Sequence, residues 1–346
     1  MATKKATTPK AKRPAAKKST ARQSTSTRKS DKPVIVEEEI VEVVETGVQP
    51  AAATAEIDDA PAPKMTFKEK LVALRPGALI AELVGTFVLA GLVMSIGSQG
   101  TLGAVGIAIG LAILVMVLGV VSGAHLNPAI TIAQYVNRKI DGVKAVAYII
   151  MQVAGAVLVF FVLNSAMTLN YNNTVQASLE KAANVSSADI DKAGGLSKFL
   201  STNYNMSVDD AAGQLGLNAS TLKPTHAATL TDGQQWITFF LEMLGAAIFG
   251  LGVGYAVFKK NKSAIETGLA VGVALFAGLM IGGSTVILNP AVAAAIGGYT
   301  WSNALFGAGA MTFWWPVFIY IGASVVGMTA GFTVYRLVLK DALAKR

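Results

Sequence analysis

Two stretches decide the fold: Ser122-Gly123-Ala124-His125-Leu126-Asn127-Pro128-Ala129-Ile130-Thr131 and Ile287-Leu288-Asn289-Pro290-Ala291. Each contains Asn-Pro-Ala, and each triplet reads as a helix start. Asn is among the strongest N-cap residues because its side-chain oxygen accepts from a backbone N–H left free in the first helical turn. Pro at the next position loses no hydrogen bond and fixes φ near its helical value. The first start is followed by suitable residues as far as Val136, before Asn137-Arg138-Lys139. The second runs to Ile296, before Gly297-Gly298. At 1.5 Å per residue these helices reach roughly 12–15 Å, about half a hydrocarbon core. They enter a membrane without crossing it.

Composition supplies the membrane. Of 346 residues, 53% are hydrophobic and 14% are charged, and 21 of the 50 charged side chains lie in residues 1–64. The remaining body is too apolar for a soluble domain. Apolar stretches near 77–97, 103–121, 145–167, 236–257, 264–286 and 315–337 are each long enough to span once, which predicts an all-α membrane protein with six transmembrane helices. Residues 1–64, basic to Lys32 and then acidic and Ala/Pro-rich, are expected to form a disordered cytoplasmic tail. Its basic half suits anionic lipid headgroups, and no nucleic-acid partner is expected. In the body, the side holding the termini and the loops near 138–144 and 259–266 carries 13 Lys/Arg against 4 Asp/Glu, and the opposite side carries 4 against 6. That bias places both termini in the cytoplasm. With no Cys and only two His, neither a cofactor nor a metal is expected, and the chain does not read as an enzyme.

The triplets lie 162 residues apart (289 − 127), and Glu82-Leu83-Val84-Gly85 returns as Glu242-Met243-Leu244-Gly245 160 residues on (242 − 82). Two landmarks at nearly one offset make the body a duplicated three-span unit, over 65–167 and 235–338, with 339–346 as a short cytoplasmic end. An odd number of spans per unit inserts the second copy upside down, so the half-helices at 127–136 and 289–296 become re-entrant and meet near the midplane. Interrupted backbone is tolerated there only where protein or water satisfies it. Between the units lies a polar insert, 168–234, with helix-like runs at Ser186 to Lys192 and Ser207 to Leu217. Outside the membrane, it is expected to act as a lid over a pore or a clasp between subunits.

On these residues the chain resembles the aquaporin and aquaglyceroporin (major intrinsic protein) family, over roughly 72–338. The resemblance implies a passive channel and a homotetramer. Asn127, Pro128, Ala129, Asn289, Pro290 and Ala291 would form the pore centre, where the asparagine amides orient water or polyols. It makes Glu82 and Glu242 the buried carboxylates that hold the pore loops by accepting backbone N–H bonds, although a proton relay is the sharper reading of a membrane carboxylate. His125 becomes a loop brace. The family usually has Arg after the second triplet; here Val292 stands there. The other constriction positions fall near Ile109, Ala277 and Val286, which gives an apolar ring with fewer hydrogen-bond partners for each passing water. The expectation is conduction of water and/or small uncharged solutes such as glycerol, with cations opposed by the half-helices and proton exclusion weakened. A secondary transporter would need an ion-coupled site, and the spans hold no Lys or Arg. A closed pore serving a structural or adhesive role would differ only in flux.

Overall fold

Caps and prolines divide the apolar sequence into helices, and the computed structural model describes residues 66–228, 230–297 and 318–339 of the chain. Among these, five helical stretches are long and apolar enough to cross a membrane: Pro76–Leu118, Gly142–Ala183, Gly233–Phe258, Ala264–Ala295 and Phe318–Leu339. The first is two crossings. It breaks at Gly97–Gly100, where Gly100 takes φ 59°, and folds back so that Gly110 lies against Leu92 and Gly103 against the Ile96 carbonyl. The fourth is one crossing followed by a turn and a short helix. Six crossings and two short helices result. The tail 1–64 and the end 340–346 lie outside the described residues.

A short α1 (Phe67–Val72), closed by a Thr66/Glu69 capping box, precedes α2 (Pro76–Ile96) and α3 (Gly100–Leu118). Asn127 caps the half-helix α4 (Pro128–Val136), and Asp141 caps α5 (Gly142–Ala183). Four short helices follow: α6 (Ser187–Lys192), α7 (Leu196–Tyr204), α8 (Val208–Gln214) and α9 (Ala219–Leu222). The second copy is α10 (Asp232–Phe258), α11 (Ala264–Gly282), the half-helix α12 (Pro290–Ala295) capped by Asn289, and α13 (Phe318–Leu339).

Glycines set how closely these helices pack, as small residues do in lipid. A methyl on Gly155 of α5 would stand 2.4 Å from the Leu83 carbonyl of α2, and one on Gly327 of α13 would stand 2.0 Å from the Met243 carbonyl of α10. The same pair of helices is thus clamped in each copy, at residues 160 apart on the first helix (243 − 83). Gly268 and Gly272 of α11 meet the carbonyls of Ala112 and Ala108 on α3, which joins the two copies. The half-helices are exchanged: α4 packs on α13 of the second copy and α12 on α5 of the first. At the far end of α4, Asn137 Nδ2 donates to Thr333 Oγ1 at 3.0 Å, and Arg336 Nη1 donates to the Asn137 carbonyl at 3.2 Å.

The insert departs from the expected polar loop. The boundary expected at 168 falls inside α5, which runs 42 residues without a break. At 1.5 Å per residue that is roughly 63 Å, twice a hydrocarbon core. Its distal half presents Tyr171, Val175 and Leu179 at helical spacing, and these pack with Ile190, Phe199, Leu200 and Ala212 into a separate small core. Ser186 and Ser207 cap α6 and α8, where the helix-like runs were read. The insert is therefore a helical cap, built on an extension of the third crossing.

Candidate functional site

The two half-helices meet at their starts. Asn127 Oδ1 accepts from Ala129 N at 2.8 Å, and Asn289 Oδ1 accepts from Ala291 N at 3.0 Å and from Val292 N at 3.3 Å. The amides then reach across: Asn127 Nδ2 donates to the Leu288 carbonyl at 2.8 Å, and Asn289 Nδ2 donates to the Leu126 carbonyl at 2.9 Å. Each copy supplies the acceptor for the other. Leu126 and Leu288 hold φ of 51° and 61°, a left-handed conformation that non-glycine residues seldom adopt, and the carbonyls that serve as acceptors belong to these two residues.

Two buried carboxylates hold those strained turns. Glu82 Oε1 accepts from Ser122 Oγ at 2.7 Å and His125 N at 3.0 Å, while its Oε2 accepts from Leu126 N at 2.8 Å and Gln152 Nε2 at 2.7 Å. Glu242 accepts from Ile287 N and Leu288 N, both at 2.7 Å, and from the Ser324 hydroxyl. Both side chains are fully buried. The Glu-x-x-Gly repeat now has a physical reason. The carboxylate anchors the loop, and three residues later a glycine vacates the space that Leu126 or Leu288 fills; a methyl on Gly85 or Gly245 would stand 2.4 or 3.0 Å from the respective leucine Cδ2. His125 is wedged in the same assembly, with Nδ1 3.1 Å from Thr131 Oγ1 and the ring edge-on to Tyr148, whose hydroxyl donates to the Ser122 carbonyl.

In front of the asparagine pair lies a cavity of about 810 Å³, lined by Asn127, Asn289, His125, Val286 and Val292 and walled by apolar side chains including Ile107, Leu111, Phe249 and Leu275. Of the four expected constriction positions, Val286 and Val292 line this cavity and two lie off it. Ile109 is 56% exposed on the outer face of α3, while Ile107 and Leu111, one turn apart, face the cavity. Ala277 does not line it either; Leu275 and Leu279 do, on the opposite face of α11. Two positions along a helix is about 200° of rotation, enough to put a residue on the wrong side.

This geometry of capped half-helices, exchanged amides and glutamate-anchored loops lies inside residues 69–335, which match the family model described as Major intrinsic protein. The chain belongs to the major intrinsic protein family. Similar sequences include the glycerol uptake facilitator protein-like 6 of Lactiplantibacillus plantarum, 43% identical over 23% of this chain and 38% of that protein. Aquaglyceroporin-2 of Rhizophagus irregularis is 40% identical over 26% and 31%, and aquaporin Z of Photorhabdus laumondii 40% over 25% and 41%. These alignments thus span less than half the length of the curated relatives. In structure the chain is similar to the aquaglyceroporin from Plasmodium falciparum, with TM-score 0.51 and 17% identity over 78% of this chain and 98% of the other. As a major intrinsic protein with these crossings, the chain is an integral multi-pass membrane protein.

Sequence reasoning missed one part of the site. Lys223, Pro224, Thr225, His226, Ala227 and Ala228, between the cap and α10, line the cavity at its cap end. Thr225 N donates to the Met94 carbonyl at 2.7 Å, Ser98 N donates to Thr225 Oγ1 at 3.0 Å, and Ala227 N donates to the Ile296 carbonyl at 2.8 Å. Pro224 alone hinted at an ordered turn there.

Proposed function

We propose that this major intrinsic protein is a passive channel for water and small uncharged solutes such as glycerol. In this reading it forms one pore per subunit of a homotetramer in the cell membrane, with both termini cytoplasmic and the cap outside. The observation that carries the reading is the reciprocal Asn127–Leu288 and Asn289–Leu126 pair at the base of an 810 Å³ cavity. Each amide spends one N–H across the interface and keeps a second for a passing oxygen. Both half-helix N-termini carry partial positive charge at the same place, so the centre accepts neutral oxygen-bearing solutes and opposes cations. The glycerol facilitator and aquaporin names of the relatives agree with that chemistry.

Glu82 and Glu242 act as scaffolds, because backbone and side-chain donors already occupy their oxygens. Val286 and Val292 add apolar surface to the cavity, and no guanidinium stands after the second triplet.

Stopped-flow light scattering on vesicles holding the full chain tests the reading. An impermeant osmolyte should cause shrinkage faster than in empty vesicles, and glycerol should then give fast re-swelling. Shrinkage and re-swelling at the empty-vesicle rate would overturn it.

A further inference from the structure

The insert supplies part of the lining of the cavity that Val292 also lines. The segment Lys223 to Ala228 crosses the cap end of the cavity and is fastened on both banks, to Met94 and Ser98 on one side and to Ile296 at the end of α12 on the other. His226 stands between those two fastenings. It is exposed, it lines the cavity, and its Nδ1 lies 4.0 Å from where a methyl on Gly297 would be, which places the ring beside the turn that ends α12. A residue held from both neighbours in a mouth has a defined position, as a side chain that discriminates solutes requires.

The cap fixes the start of the same segment. Lys223 Nζ donates to both Asp209 oxygens, at 3.0 and 2.8 Å, and the Tyr171 hydroxyl donates to Asp209 Oδ1 at 2.8 Å. Asp209 is on α8 and Tyr171 on the extension of α5, and both belong to the cap. The side chain of Lys223 also lies over the Tyr171 ring, 5.3 Å from its centroid. A three-residue latch thus joins the cap to the strap, and the buried Pro224 stiffens the step from latch to mouth.

We propose that the strap is the specificity-determining wall of the cap-side mouth. His226 is the side chain that meets the solute, and Tyr171, Asp209 and Lys223 position it. The inference rests on the channel reading above. An imidazole offers one donor and one acceptor in its neutral form, which suits neutral solutes carrying both, such as polyols and urea. Val286 and Val292 line the same cavity, together with Ser98, Thr101, Ser284 and Thr285, so the ring adds both bulk and a donor–acceptor pair to the mouth.

The test is the glycerol-to-water and urea-to-water permeability ratio of full-length protein in vesicles. His226→Ala should raise the glycerol ratio about threefold or more, and His226→Trp should lower it by a similar factor. Asp209→Asn, which frees the strap without touching the solute path, should move the ratio in the Ala direction, with Asp209→Glu restoring it. Combined with His226→Ala it should add nothing further, as for residues acting through one element. Ratios for both His226 variants that stay at the wild-type value, or that shift in the same direction, overturn the inference while leaving the channel reading intact. A wild-type protein that conducts nothing overturns both.

Discussion

Gly85 lies under Leu126 so closely that a methyl group on it would stand 2.4 Å from Leu126 Cδ2, and its counterpart Gly245 would meet Leu288 Cδ2 at 3.0 Å and the Gly278 carbonyl at 2.8 Å. The nearest obstruction at Gly85 is the end of a side chain; at Gly245 it is backbone. Gly331 is tighter still, with the Ala247 carbonyl 1.8 Å from an added methyl.

A ranking of alanine substitutions follows. Gly331→Ala and Gly245→Ala should cost more stability than Gly85→Ala, each within about 1–3 kcal/mol for overpacking or somewhat above it. Thermal unfolding in detergent, followed by tryptophan fluorescence, checks the order. Equal losses at the three sites would mean that the helices separate freely.

Glu82 receives four hydrogen bonds and Glu242 three. Replacing either by Gln turns one acceptor oxygen into a donor facing donors, so the loop loses bonds and leaves N–H groups unsatisfied at roughly 1–3 kcal/mol each. Glu82→Gln should therefore be the more destabilising of the two, and both should reduce the yield of folded protein. A Gln variant with wild-type stability but lost proton sensitivity would favour the relay reading instead.

Asn127→Asp keeps the oxygen that caps Ala129 N but sets a second oxygen against the Leu288 carbonyl 2.8 Å away. The midplane then carries negative charge where two helix starts meet. Potassium leak from vesicles should rise about tenfold or more, and Asn289→Asp should act likewise. An unchanged leak would show that cations are excluded elsewhere.

Asp209 is held below the ordinary aspartate value of 3.8, first by the bond from Lys223 and then by that from Tyr171, while burial and the Asp209 carboxylate push the Tyr171 hydroxyl up to about 12. A carboxylate depressed in the folded state contributes stability that is complete above its unfolded value and is lost as pH falls through the folded one. The latch should therefore stay intact above the ordinary aspartate value and open only as pH falls below it. Hydrogen exchange in Leu196–Gln214, corrected for intrinsic rate, reads this directly; faster exchange already at pH 6 would contradict it.

Asn127 and Asn289 were legible as helix starts because caps, prolines and a near-constant offset are written in single residues. Ile109 and Ala277, which lie off the cavity lining, carried no such mark. Helices α3 and α11 are built almost wholly of Ala, Gly, Leu, Ile, Val and Met, with no polar face to mark which side meets the cavity and which meets lipid. When hydrophobicity is uniform around a helix, its rotation is set by the packing of glycines on neighbouring backbones and leaves no periodic trace. The length of α5 was hidden by composition, since Asn170, Asn172, Asn173 and Thr174 look like a loop; the Tyr171, Val175, Leu179 spacing was the signal that would have extended it. The strap had no comparable signal, because its three fastenings run to carbonyls and amides whose partners are 69 to 131 residues distant.

The exchange of amides between copies also bears on biosynthesis. Leu288, the acceptor for Asn127, is 161 residues further along the chain. When the first copy has left the ribosome and entered the bilayer, that acceptor has yet to be made, so the first half-helix waits in the lipid with its tip unsealed. Neither copy is complete alone, and maturation is a joint event timed by translation of the second.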